Sequence, residues 1–328
     1  MNEPAIRVLK LTKNYNEFCA VDHIDFSVPQ GITFGFLGPN GAGKTTTIKM
    51  LCTLLRPTEG EAFVAGYDVL KNPMEVRRTI GIIFQEQTLD DRLTAYENLK
   101  FHGILYGLGG PYLEQRIDQM LNLVGLEDKK ESRVKIFSGG MKRRLELARG
   151  LMHTPKLLFL DEPTIGLDPQ TRVNIWDYLH ALKKENDLTI FLTTHYLEEA
   201  ENCDQIAIMD RGRIVASGSP SQLKAQVKGS VVLLKTENNS STLDYLKTKY
   251  NLSPRIEDGV ISVEINEPEK WLPNFLRDVP VVVEYLNIHR PTLEDVFIKL
   301  TGREIREEEG NSMDSARSFM RRGRRPGR

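Results

Sequence analysis

Short apolar runs alternate with longer amphipathic stretches over the first two-thirds of the chain. "ITFGFLG", "IGIIFQ", "KLLFLDE", "LTIFLTTH" and "QIAIMDRGRIVASG" read as strands, the last as a hairpin turning at Arg211-Gly212. Runs such as "LLFL" and "TIFLTT" lack polar alternation, as strands covered on both faces do. Strands interleaved with helices predict a near-parallel sheet flanked by helices. Between about residues 86 and 150 the strand signal disappears. There "PYLEQRIDQMLNLVGL" places Leu113, Ile117, Met120, Leu121 and Val124 on one helical stripe.

The pattern changes after about residue 225. "SVVLLKTE", "PRIE", "VISVEI" and "VVVEYL" read as strands, with a hairpin turn expected at Asp258-Gly259. "STLDYLKTKY" and "PEKWLPNFLRD" read as helices. A last helix starts in "RPTLEDVFIKLTG", where Thr292 and Asp295 form a capping signature and Leu293, Val296, Phe297 and Leu300 share a face. That stripe is either buried internally or docks on a partner. The expected organisation is an α/β unit over residues 1–225 with a helical subdomain at about 86–150. An α+β unit follows over 226–303, then a charged, disordered tail over 304–328. No internal repeat is visible.

Composition narrows the class. The chain has 328 residues, 40% hydrophobic and 27% charged, with a formal net charge of −1. This is ordinary for a globular protein and gives no basic excess for nucleic acid. Cys19, Cys52 and Cys203 are far apart, which argues against a disulfide framework or zinc site and for a reducing compartment. The N-terminus lacks a signal-peptide pattern. No run approaches the ~18 apolar residues of a membrane span, so work at a membrane requires a second chain.

The candidate chemistry lies in "FLGPNGAGKTTTIKML". Gly38, Pro39, Asn40, Gly41, Ala42, Gly43, Lys44 and Thr45 form G-x-x-x-x-G-K-T between an expected strand and helix. Backbone N–H groups of such a loop curl around phosphates, helped by the helix dipole. Lys44 would reach the terminal phosphates, Thr45 would offer its hydroxyl to Mg²⁺, and Thr46 would touch a phosphate. "KLLFLDEP" puts Asp161 and Glu162 at the end of an apolar strand, where α/β sheets bind ligands. Asp161 suits Mg²⁺, and Glu162 suits a water to be oriented or deprotonated.

"FSGGMKRRLELARG" raises a separate question. Ser138 and two glycines suit a helix start, yet Lys142, Arg143 and Arg144 follow where the macrodipole is already positive. Either these cations swing away to solvent or to acidic neighbours, or they support the field around an anion brought from elsewhere.

With these residues assembled, the chain resembles the ATP-binding subunits of ABC transporters over about residues 5 to 225. Ser138-Gly139-Gly140-Met141 resembles the family's LSGGQ signature, with methionine in place of glutamine. Asp168 in "TIGLD" resembles the D-loop, His195 in "TTHY" the switch histidine and Gln85 in "FQE" the Q-loop. Tyr15 in "TKNYNEF" resembles the aromatic that stacks on adenine. The resemblance implies a P-loop α/β fold, ATP and Mg²⁺ as ligands, and hydrolysis involving Glu162, His195 and Gln85. Thr45, Gln85 and Asp161 would serve the metal, and Asp168 would serve dimer contact. It also implies a head-to-tail homodimer in which Ser138, Gly139 and Gly140 of one copy face the γ-phosphate held by the other.

"GGMKRRLELARGLMHTPKLLFLDEPTIGLDP" and "HRPTLEDVFIKLTGRE" resemble the daunorubicin-resistance type of subunit, which implies export through a separate integral-membrane permease. The expected location is the cytoplasmic face of the membrane. No nucleic-acid partner is expected. An importer ATPase is the nearest alternative. A non-transport ATPase on ribosomes or DNA would carry a second such domain or a coiled-coil insertion.

Overall fold

The structure, a computed structural model, describes residues 3–302 except 187, 228 and 258. The chain opens with β1 (Ile6–Tyr15), β2 (Phe18–Val28), β3 (Thr33–Leu37) and α1 (Lys44–Leu51). β4 (Glu59–Val64), β5 (Tyr67–Asp68), α2 (Pro73–Thr79) and β6 (Ile80–Ile83) follow. Helices α3 (Ala95–Leu105), α4 (Gly110–Leu123) and α5 (Gly139–Gly150) come next, then β7 (Leu157–Asp161), α6 (Pro169–Asn186), β8 (Thr189–Thr194) and α7 (Leu197–Glu201). The hairpin β9 (Gln205–Asp210) and β10 (Arg213–Gly218) leads to α8 (Pro220–Ala225). The remainder is β11 (Ser230–Thr236), α9 (Asn239–Tyr250), β12 (Arg255–Glu257), β13 (Val260–Ile265), α10 (Pro268–Asp278), β14 (Val283–His289) and α11 (Leu293–Thr301).

The central sheet runs β10-β9-β3-β8-β7-β6. β9, β3, β8, β7 and β6 are mutually parallel, and β10 closes one edge antiparallel. β3, β7 and β8 are buried at every position, which explains their unbroken apolar runs. A second, antiparallel sheet, β2-β1-β4-β5, packs beside it. Phe26, Phe34, Phe36 and Phe191 form a ring cluster in the core the two sheets share with α1. On the other side, Leu113, Ile117, Met120, Leu121 and Val124 of the α4 stripe join α5 and the sheet in one core. α3 starts with a complete capping box, Thr94 and Glu97.

The third sheet, β12-β13-β11-β14, has its own core with α9 and α10 around Leu246, Val263 and Phe275. The expected turn residue Asp258 lies outside the described residues, as does the 304–328 tail. α11 starts at the Thr292–Asp295 capping box but does not pack into this third core. Its Leu293, Val296 and Phe297 join the first core with Ala200 of α7 and Leu223 of α8. Lys299 Nζ also donates to Gln226 O at 2.6 Å. The apolar stripe is therefore covered within the chain, although Leu300 at its end is 39% exposed.

Candidate functional site

The phosphate loop joins β3 to α1. Its glycines answer to space and to backbone shape. A Cβ on Gly38 would stand 2.2 Å from Met209 O, and Gly43 caps α1 with φ +104° where a Cβ would meet Ala20 O at 2.5 Å. Lys44 is only 4% exposed, and its Nζ donates to Gly38 O (2.6 Å) and Pro39 O (3.1 Å). Burial pulls its ammonium below the ordinary lysine range, opposed by the charges of Glu162 and Asp161. A buried cation of this kind is suited to a polyanion arriving in the loop.

β7 delivers the carboxylates. Asp161 Oδ1 accepts from Thr45 Oγ1 at 3.1 Å and from Thr193 Oγ1 at 2.5 Å. Glu162 has φ +49°, a left-handed conformation that costs a non-glycine residue about 1–3 kcal/mol. Its N–H donates to Thr193 O and Thr193 Oγ1 on β8. The two neighbouring carboxylates diverge as a result. Asp161 faces Thr45, while Glu162 Oε1 lies 3.6 Å from Lys44 Nζ and 3.2 Å from His195 Nδ1. The His195 contact is close but lacks hydrogen-bond alignment, leaving Nδ1 buried without a protein hydrogen-bond partner. For Glu162, burial acts to raise the carboxyl pKa, but His195 and Lys44 outweigh it and hold the group below the usual glutamate range.

A cavity of about 400 Å³ unites these parts. Tyr15, Asn40, Gly41, Ala42, Gly43, Lys44, Thr45, Thr46, Gln85 and Glu162 line it. Gly38 and Pro39 act behind it through their carbonyls on Lys44, and Asp161 and His195 stand behind Thr45 and Glu162. Tyr15 is 45% exposed at the β1–β2 hairpin, directly opposite Phe18 in register. Phe18, Ala20 and Ile165 also line the cavity and were not singled out from sequence. The "NYNEF" spacing, with two aromatics flanking a two-residue turn, was the available signal for Phe18.

Ser138, Gly139 and Gly140 do not line this cavity. They form the start of α5, where Ser138 Oγ accepts from Met141 N at 3.2 Å, and Ser138 and Gly139 are exposed. A Cβ on Gly140 would stand 2.7 Å from Thr171 Cγ2. Asp168 caps the first turn of α6 by accepting from Thr171 N and Thr171 Oγ1.

The three cations after the signature are bound within the chain: acidic neighbours take Lys142 and Arg143, one of the expected alternatives, while the backbone carbonyls that hold Arg144 and also bind Arg143 were not anticipated. Lys142 pairs with Asp91 at 2.8 Å, and Arg144 donates to Val124 O and Gly125 O at the end of α4. Arg143 is buried. It donates to Phe84 O and Pro163 O at 2.6 Å each and pairs with Glu146 at 3.0 Å. Carbonyl oxygens and carboxylates thus satisfy charges that an unfavourable dipole would otherwise disfavour.

A phosphate loop at a helix start, divergent strand-end carboxylates and an exposed Ser-Gly-Gly helix start on an inserted helical layer define a P-loop ATPase. The ABC transporter family model matches residues 21–165. The chain is 39% identical over 306 residues to the daunorubicin/doxorubicin resistance ATP-binding protein DrrA of Streptomyces peucetius, covering 91% of this chain and 92% of that protein. It is 39% identical over 310 residues to the Nod factor export ATP-binding protein I of Cupriavidus pinatubonensis, covering 92% of each. Among solved structures, cbiO1 of Clostridium perfringens, part of the ABC transporter complex cbiONQ, aligns with a TM-score of 0.64 at 28% identity, over 76% of this chain and 98% of that one. A dimeric post-hydrolysis state of the ATP-binding cassette MJ0796, bound to ADP and Pi, aligns with a TM-score of 0.61 at 26% identity, over 65% and 98%. The chain belongs to the ABC transporter family. It is an ATP-binding and ATP-hydrolysing subunit that works with a membrane permease.

Proposed function

We propose that this subunit energises export of a drug, lipid or other small molecule through a separate permease, by ATP-driven closure of two copies head to tail. The observation that carries the reading is the divided site. The phosphate loop, Gln85 and Glu162 share one cavity, while Ser138, Gly139 and Gly140 present an exposed helix start outside it. A second copy would bring that start to the γ-phosphate. The MJ0796 cassette, dimeric in its ADP and Pi state, is the structural parallel.

Within each site, Tyr15 and Phe18 would stack on adenine and the loop N–H groups would hold the phosphates. Lys44 would neutralise the β- and γ-phosphates. Thr45 and Asp161 fit Mg²⁺: their oxygens are hard donors 3.1 Å apart, and Mg²⁺ favours a few such oxygens plus phosphates and water. Bound there, it would supply charge neutralisation on the phosphate oxygens. Glu162 would hold the attacking water, and its lowered pKa keeps it an ionised acceptor. Gln85 would contact the water and metal, and His195 would hydrogen-bond the γ-phosphate. Loss of that phosphate removes the contacts that favour the closed pair.

Among the described residues no helix is long and apolar enough to cross a membrane. The permease would seat on a groove of about 370 Å³ lined by Thr88, Leu93, Phe101, His102, Leu105 and Arg149. Phe101 and Leu105 are 62% and 66% exposed there, and Thr88 ends the Gln85 segment. Such a contact would hold the subunit at the membrane, and the cytoplasmic face is the location we propose. Export, rather than import, rests on likeness through the C-terminal third to a resistance protein and an export protein. Capturing the tagged chain from detergent-solubilised native membranes tests this. A polytopic partner that confers ATP-dependent accumulation of amphiphilic drugs or lipids in inverted vesicles is expected. Recovery with a permease that needs an external binding protein would contradict export.

A further inference from the structure

α5 carries a row of long polar side chains one turn apart, Arg143, Glu146 and Arg149, and the row grips two other segments. Arg143 donates to Phe84 O (2.6 Å), Pro163 O (2.6 Å), Glu162 O (3.3 Å) and Asp161 O (3.5 Å). Its partner Glu146, fully buried, accepts from Thr88 N at 2.8 Å. Arg149 donates to Thr88 O at 2.9 Å and also contacts Thr88 Oγ1. Gln85 sits between the two gripped residues, Phe84 and Thr88, in a stretch without regular structure. The same guanidinium holds the backbone of Glu162, whose left-handed conformation needs external support.

An irregular loop has no ladder of its own to fix it, so bonds from a rigid helix decide where Gln85 stands. A packed helix moves as a body, and its start carries Ser138. We propose that the Arg143–Glu146–Arg149 row is a positioning device that ties the signature helix to Gln85 and Glu162 of the same chain. It rests on the shared-site reading: displacement of the α5 start by a partner's nucleotide is passed through the row to the chain's own catalytic cavity. Neither Arg143 nor Glu146 lines that cavity, and Arg143 reaches its Glu162 through the backbone carbonyl, so they position rather than catalyse.

The test uses the full-length chain and Arg143→Lys, which keeps the charge beside Glu146 but cannot reach all four carbonyls. MgATP affinity should stay close to wild type, while the melting temperature falls by a few degrees because buried carbonyls lose a donor. The single-turnover rate should fall about 10- to 10²-fold, the scale of a small misplacement of reacting groups. In a Gln85→Ala background the same change should cost less than about threefold, because groups acting through one another are not additive. Equal losses in both backgrounds would overturn the proposal, as would a rate loss that only tracks melting temperature. Where Arg143→Lys fails to fold, Glu146→Gln is read identically, since it keeps an acceptor for Thr88 N and weakens the grip on Arg143. MgATP-dependent dimerisation of the Glu162→Gln chain tests the shared site separately. Its absence together with retained Gln85 coupling rejects the partner signal but not the positioning.

Discussion

The glycine-flanked starts of α1 and α5 have opposite surroundings. The α1 start is enclosed. Gly43 caps it, Lys44 is buried beside it, and Tyr15, Gln85 and Glu162 close the cavity it faces. The α5 start is open, with Ser138 and Gly139 exposed and the nearby cations already bound to partners in the chain. The first presents its donors to a cavity of its own chain. The other has donors and no counterpart. The contrast teaches that charge near a helix start does not itself mark an anion site. Arg143 is committed to carbonyls and Glu146, so recognition of the proposed partner's phosphate would fall to backbone N–H groups and the Ser138 hydroxyl.

Changes on the enclosed side should have the larger effects. Glu162→Gln keeps size and hydrogen bonding but loses the carboxylate, so single-turnover hydrolysis should fall about 10²- to 10⁴-fold with nucleotide binding retained. Near-normal hydrolysis would remove Glu162 from the mechanism. Lys44→Ala removes a buried cation worth about 3–5 kcal/mol to its anion, or roughly 10²- to 4 × 10³-fold in affinity. Equilibrium titration with ATP measures this, and unchanged affinity would sink the assigned loop.

On the open side, Ser138→Ala should leave ATP binding by the isolated chain unchanged and lower hydrolysis. It also removes a helix cap, costing about 0.5–2 kcal/mol of stability, so thermal unfolding and hydrolysis should be read together. If hydrolysis is unaffected while stability falls, Ser138 is only a cap.

The smallest expected effect lies away from both. Burial, then the charges of Arg149 and His153, lowers the His102 pKa to about 4. The folded imidazole stays neutral while the unfolded chain gains a proton below its ordinary value of 6.5. Stability should therefore be complete above pH 6.5 and decline as pH falls from 6.5 towards 4, by on the order of 1–2 kcal/mol given partial exposure. His102→Asn should flatten that slope in denaturant titrations, and an unchanged slope would assign it elsewhere.

What was legible in sequence follows from locality. β3, β7 and β8 are covered on both faces, so their apolar runs announce them. The phosphate loop is one contiguous segment whose chemistry lies in adjacent residues. β1 was not legible. It mixes Arg7, Lys10 and Lys13 into its pattern and is broken by register shifts around Lys10, which has φ +47°. Arg143's role was hidden because its acceptors, the carbonyls of Phe84, Glu162 and Pro163, exist at every residue and leave no mark on composition. The burial of α11 against α7 and α8 was hidden for a related reason: a stripe shows that a face will be covered, not by what.

The central claim is that the open start of one copy completes the enclosed site of another. The direct measurement mixes Lys44→Ala and Ser138→Ala chains, each weak alone, and follows MgATP hydrolysis against mixing ratio. Sharing across the pair places both lesions in one composite site and leaves the other intact. Activity should therefore rise in the mixture above the mean of the two separate chains, peaking near equal proportions. Hydrolysis that stays at the weighted mean at every ratio would contradict the shared site.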